Sequence, residues 1–151
     1  MNKLRILFLC TGNSCRSQMA EGLARHLKTD SIDAYSAGTA PKALDPRAVL
    51  VMKEKGIDIS SGRSKHVNEL MNISFDYVVT VCGHANETCP FFPGKTRVVH
   101  QGFEDPPVLA QDAVSEEEAL VHYRRVCDEI EAYIMTLPEA LDKAAQPFLP
   151  G

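Results

Sequence analysis

Apolar residues fall in two rhythms along this chain. Ile6-Leu7-Phe8-Leu9-Cys10 is an unbroken apolar run, the pattern of a strand covered on both faces. Thr11 to Arg16 is polar, contains a glycine, and reads as a loop. From Ser17 to about Leu27 the apolar positions Met19, Ala20, Leu23, Ala24 and Leu27 form one helical stripe, with Ser17 near the N-cap. Ile32 to Ser36 predicts a short second strand. Asp45-Pro46 marks a helix start, with a capping carboxylate and proline at the first helical position. That helix runs to about Lys55 and stops at Gly56. A weaker helix is predicted over about Lys65 to Met71. Tyr77 to Val81 is a β-branched third strand leading into Cys82, and Arg97 to His100 is a fourth. Ser115-Glu116-Glu117-Glu118 has the form of a capping box. It opens a long helix with Ala119, Leu120, Tyr123, Val126, Cys127, Ile130, Ile134 and Leu137 on one stripe. Pro138 interrupts the stripe, and 138–151 is predicted to be a loose tail.

Strands alternating with helices predict an α/β fold: a single flavodoxin-like domain over 1–151, with a four-stranded parallel sheet of order 2-1-3-4 and helices on both faces. A chain of 151 residues buries about 70% of its unfolded surface, enough to fold without disulfide staples. Such sheets bind ligands beyond the C-terminal strand ends, where the connections diverge. The first strand ends in Cys10 and the third leads into Cys82. Both sulfurs are therefore predicted at the mouth of one crevice.

Hydrophobic residues make up 44% of the chain and charged ones 24%, as in ordinary globular domains. The net charge of −4 argues against nucleic-acid or membrane-surface binding, since no basic excess attracts phosphate. It leaves room for a small anionic substrate in a locally positive pocket. Lys3 and Arg5 before the first apolar run suggest a signal peptide only faintly. That run is too short, and no apolar run approaches the roughly 18 residues that span a bilayer. A cytoplasmic monomer is expected. The five cysteines, Cys10, Cys15, Cys82, Cys89 and Cys127, are an odd number. In a reducing compartment they are catalytic, metal-binding or simply buried.

The most informative segment is Cys10-Thr11-Gly12-Asn13-Ser14-Cys15-Arg16-Ser17. A cysteine and an arginine flank five residues between a strand and a helix. Successive backbone N–H groups of such a loop curl around a tetrahedral oxyanion, and the next helix points its positive end at the same spot. Arg16 adds a planar fork that meets two oxygens at once. The same field favours a thiolate on Cys10. Lowering a thiol from pKa about 8.5 to about 6 raises its ionised share at pH 7 from about 3% to about 90%. The competing reading, a coincidental cysteine and arginine in a tight turn, does not account for the strand–loop–helix setting. Zinc on Cys10, Cys15, Cys82 and Cys89 is disfavoured by the six-residue gap of the second pair and by Arg16 beside a cation.

This loop resembles the phosphate loop of low-molecular-weight tyrosine phosphatases. Extended through Gln18-Met19-Ala20-Glu21-Gly22, it resembles the thioredoxin-coupled arsenate reductases built on that fold. Tyr35-Ser36-Ala37-Gly38, Val78-Val79-Thr80-Val81-Cys82 and Gly102-Phe103-Glu104-Asp105-Pro106 add to the likeness, which runs to about Ile134.

The resemblance implies a catalytic set of Cys10, Cys82, Cys89, Arg16 and Asp105. In it, Cys10 forms a covalent arsenic adduct, and Asp105 is the general acid, its loop restricted by Pro106-Pro107. Thr11, Gly12, Asn13, Ser14, Cys15, Arg16 and Ser17 bind the oxyanion, and Ser17 donates to the Cys10 thiolate. Cys82 and Cys89, bracketing a polar segment able to change shape, complete a disulfide relay to thioredoxin. Arsenate is the substrate, with phosphate or sulfate as competing anions, and no cofactor is implied. Asn13, Glu21 and Ser36 match a potassium site of some such reductases. Lys65 replaces its acid, so the site is degenerate and the ammonium is expected to stand in for the ion, pairing with Glu21. The alternative is a phosphatase using Cys10, Arg16 and Asp105 alone; inert core cysteines at Cys82 and Cys89 would favour it. Cys127 reads as core packing and Cys15 as structural. His26, His66 and His122 read as helix surface, while His84 and His100 receive no role.

Overall fold

The structure, a computed structural model, describes residues 3–144. Its sheet comprises β1 (Leu4–Cys10), β2 (Ile32–Gly38), β3 (Tyr77–Thr80) and β4 (Arg97–His100), all parallel, in the order β2-β1-β3-β4. Ile6 to Leu9 and Val78 to Thr80 are fully enclosed, because helices cover both faces of the central strands. This is why these strands are continuous apolar runs rather than alternating ones. No helix among the described residues is long and apolar enough to cross a membrane.

Among the described residues six α-helices surround the sheet: α1 (Arg16–Leu27), α2 (Pro46–Glu54), α3 (Gly83–Glu87), α4 (Pro106–Leu109), α5 (Glu116–Met135) and α6 (Glu139–Ala144). The apolar stripes of α1 and α5 meet over the sheet. Gly22 brings α1 close to its neighbours: a Cβ there would stand 2.7 Å from Ile59 Cγ2 and 2.9 Å from Met52 Cε. Cys127 lies on the buried face of α5, its Sγ 3.6 Å from Met52 Sδ. Its role is packing, as its place on the stripe predicts.

Several local expectations change. Ser17 lies inside α1 and is fully buried; the N-cap is Cys15, which makes no side-chain cap bond. Asp45 caps α2 as expected, accepting from Arg47 N at 2.9 Å. The Ser115 box is half formed: Ser115 Oγ accepts from Glu118 N, but Glu118 Oε2 accepts from Val114 N. The stretch from Lys65 to Met71 contracts to a 3₁₀ turn, Val67–Leu70. His66 is its cap, not a helix surface residue, with Nδ1 accepting from Asn68 N at 3.0 Å. The segment expected to be loose begins with α6, whose Leu141 is buried in the core and whose Asp142 carboxylate accepts from the Tyr77 hydroxyl. The rest of that tail, 145–151, lies outside the described residues.

Candidate active site

The loop between β1 and α1 is held from outside by its own carbonyls. Cys10 O accepts from Thr39 N, Thr11 O from Ala40 N, Gly12 O from Lys42 N and Ser14 O from Asp45 N, at 2.8–3.2 Å. These bonds fix the loop's curl against the segment after β2, the kind of backbone concavity whose amides hold an anion. Gly38 permits this approach: a Cβ there would lie 2.4 Å from Thr11 O and 3.0 Å from Asn13 N.

Asn13 is the internal tie. It adopts the left-handed conformation, at φ 49°, which asparagine tolerates better than most residues. Its Nδ2 donates to Ser17 Oγ at 2.9 Å, and its Oδ1 accepts from Lys65 N at 3.0 Å and Gln18 Nε2 at 3.3 Å. Its carbonyl accepts from Gln18 Nε2 at 3.1 Å and Ser64 Oγ at 2.7 Å. Gln18 and Ser64, which the sequence did not single out, are therefore part of the loop's scaffold. Short polar side chains beside such a loop were the available signal.

Beyond the loop lies a cavity of about 620 Å³. Cys10, Arg16, Lys42, Cys82, His84 and Asp105 all face it. Arg16 Nη1 donates to Phe103 O at 2.8 Å, and Nη2 lies 3.6 Å from Asp105 Oδ2. Arg16 Nε is buried and has no protein partner. An orphaned donor on a mostly buried guanidinium calls for an external acceptor, and an oxyanion supplies one. Asp105 stands at the start of α4, which the sequence reading had as plain loop; the two prolines open the helical turn.

Cys82 lies two residues beyond β3, at the N-cap of α3, beside Cys10. Leu9 pairs with Thr80, so the two cysteines sit one residue out of step on neighbouring strand ends, with Cα atoms about 6 Å apart from sheet spacing. That is within disulfide range. Thr11 Oγ1 lies 3.2 Å from Cys82 Sγ, and Ala85 N donates to the same sulfur at 3.3 Å. Coupling to the neighbouring Cys10 thiol holds the Cys82 thiol below the ordinary range, with Thr11, the Ala85 amide and Arg16 helping. The same coupling, with burial, pushes Cys10 up, while Arg16 and the Gly12 amide act to lower it. The two thiols therefore titrate as a pair.

The polar segment between Cys82 and Cys89 is helix α3, capped at its start by Cys82 itself. Cys89 is half-buried beyond its end, with Sγ donating to Pro90 O at 3.5 Å, and burial raises its pKa. It does not line the cavity. Helix α3 lies between the two cysteines, and both are free thiols. Cys15 is buried and desolvation pushes its thiol up, the state of a structural cysteine. His84 lines the cavity, whereas His100 Nδ1 pairs with Thr80 Oγ1 at 2.8 Å.

Glu21, Ser36, Asn13 and Lys65 do cluster beside the loop. Ser36 Oγ donates to Glu21 Oε1 at 2.8 Å, and Arg25 Nε lies 3.6 Å from Glu21 Oε2. The direct Lys65–Glu21 pair is not formed. The ammonium donates to Arg63 O at 3.0 Å, while the Glu21 charge acts on it from further off, partly offsetting the lowering by burial.

A strand–loop–helix cradle with a cysteine at its start and an arginine at its end defines an oxyanion-binding enzyme with a thiol nucleophile. The chain belongs to the low molecular weight phosphotyrosine protein phosphatase family, which it matches over residues 5–147. Its relatives within that family point to one branch. It is 48% identical over 139 residues to an arsenate reductase from Halalkalibacterium halodurans, covering 92% of this chain and 98% of that one. Among solved structures, an arsenate reductase in the phosphate-binding state aligns with TM-score 0.71 and 27% identity, over 93% of this chain and 98% of that one. A thioredoxin-dependent arsenate reductase from Corynebacterium glutamicum aligns with TM-score 0.67 and 25% identity, over 95% of this chain and 63% of that one.

Proposed function

We propose that this protein reduces arsenate to arsenite through Cys10, Cys82 and Cys89, and that thioredoxin restores its thiols. The observation that carries this reading is the second thiol, Cys82, which lines the oxyanion cavity together with Cys10 at the end of the neighbouring strand. A hydrolase needs one nucleophile there; a reductase must store two electrons.

In the first step Cys10 Sγ bonds arsenic and one arsenate oxygen leaves as water. The Cys10 thiol proton balances this loss, with Asp105 passing a proton to the leaving oxygen. Arg16 and the loop amides hold the remaining oxygens as charge builds. In the second step the Cys82 thiolate attacks Cys10 Sγ. The sulfur–arsenic bond breaks, its electron pair stays on arsenic, and arsenite leaves after taking protons from solvent. In the third step Cys89 loses its proton and attacks Cys82, releasing Cys10 as a thiol. A thioredoxin dithiol then reduces Cys82–Cys89 by exchange.

The family match also favours a phosphatase reading, because Cys10, Arg16 and Asp105 suffice for ester hydrolysis. The two are separated by Cys82→Ser. Arsenate-dependent NADPH oxidation with thioredoxin and its reductase should be lost, while p-nitrophenyl phosphate hydrolysis persists. Arsenate reduction by Cys82→Ser at the wild-type rate would sink the reductase mechanism.

A further inference from the structure

Resting on the reading of the cavity as an oxyanion site, we propose that Lys42 is a specificity-determining residue that draws the doubly charged anion into the loop and helps hold it there. No other residue at the mouth has the same combination of charge, exposure and freedom. Arg16 is the cation at the floor, but it is mostly buried and shares its charge with Asp105 at 3.6 Å. A carboxylate at that distance weakens the field an approaching anion meets. The chain as a whole carries −4, so a dianion approaching from solvent is repelled on average.

Lys42 reverses that locally. It is exposed, it lines the cavity, and among the described residues nothing pairs with its ammonium. Its backbone N donates to Gly12 O at 2.8 Å, anchoring the residue to the loop. Its stem lies across the loop: Cβ and Cδ each stand 3.6 Å from where a Cβ on Gly12 would be. The methylenes therefore rest on the loop backbone and the ammonium has the freedom of the last bonds to fold over a bound anion. Lys42 also borders a second depression of about 440 Å³, where the other cation, Arg63, is paired with Glu69 at 2.8 Å, so the unpaired charge on this side of the mouth is that of Lys42. The sequence alone did not single out Lys42, because it lies 26 residues from Arg16 in a featureless proline-containing segment.

The test uses Lys42→Gln and Lys42→Arg in the reduced full-length protein. Two readouts are compared: KM for arsenate in the thioredoxin-coupled assay, and the Kd of inorganic phosphate from its protection of the cavity thiols against iodoacetamide. Lys42→Gln should raise both by about three- to fivefold, as expected for one partly exposed charge, and Lys42→Arg should restore them. Because the contribution is electrostatic and exposed, the fall of phosphate affinity with rising salt should be shallower in Lys42→Gln. A phosphate Kd within twofold of wild type, with an unchanged salt dependence, overturns the proposal. The phosphate arm needs no turnover. If wild type fails to reduce arsenate, the reductase reading falls while this arm still decides Lys42.

Discussion

Thr11 Oγ1 lies 3.2 Å from Cys82 Sγ, joining the first residue after the candidate nucleophile to the end of a different strand. The hydroxyl donates to the sulfur when Cys82 is a thiolate. Removing it should leave the thiolate with the Ala85 amide and Cys10. In Thr11→Val the Cys82 pKa should rise by about one unit, the worth of one hydrogen bond to a charged group. The pH profile of Cys82 alkylation, followed by peptide mass mapping, measures this. An unshifted profile would remove Thr11 from that role.

Helix α3 separates Cys82 from Cys89, so their disulfide requires its single turn to unwind. Unwinding also frees the Ala85 amide from Cys82 Sγ and carries the disulfide toward solvent. Without Cys89 the chemistry should stop one step earlier. Cys89→Ser should release about one arsenite per enzyme and then stall, with Cys10 joined to Cys82 in the peptide map. Phosphatase activity of the reduced variant should survive. Continuous turnover by Cys89→Ser would mean that Cys89 is dispensable.

The resemblance puts Lys65 where some arsenate reductases carry a potassium-binding acid, and its ammonium donates to Arg63 O. A protonated lysine ligates no cation. Rates in sodium and potassium salts of equal ionic strength should therefore coincide. Saturable activation by potassium would contradict this.

Burial pushes the Cys127 thiol up to about 12, against about 8.5 in an unfolded chain. The folded state holds this proton longer, so its contribution to stability is complete below the unfolded value and is lost as pH rises toward 12. Between about pH 9 and 12, Cys127 should cost about 1.4 kcal/mol of unfolding free energy per pH unit. Urea titrations across that range should show a slope smaller by one such proton in Cys127→Ala than in wild type. Equal slopes would place the alkaline loss on other groups.

Much of this protein was legible in one dimension. The parallel sheet and its order followed from continuous apolar runs alternating with helical stripes, because a strand buried on both faces has no polar side to show. The loop from Cys10 to Arg16 was legible because an anion cradle is local: its amides, its cysteine, its arginine and the helix behind it are consecutive. Cys127 declared itself by its place on the α5 stripe.

Relationships between distant segments were decided only in three dimensions. Ser17 has the composition of a cap, yet burial against Asn13 makes it part of a scaffold with Gln18 and Ser64. The segment from Gly83 to Glu87 has no apolar periodicity, and it is helical because Cys82 caps it and Ala85 packs into the core. The surroundings of Cys82 were likewise hidden. The Thr11 hydroxyl, 71 residues away in sequence, and the Ala85 amide converge on its sulfur only in the folded chain. Periodicity and local motifs record what a residue does with its neighbours along the chain; protonation and pocket charge depend on which groups the folded chain brings within a few ångströms.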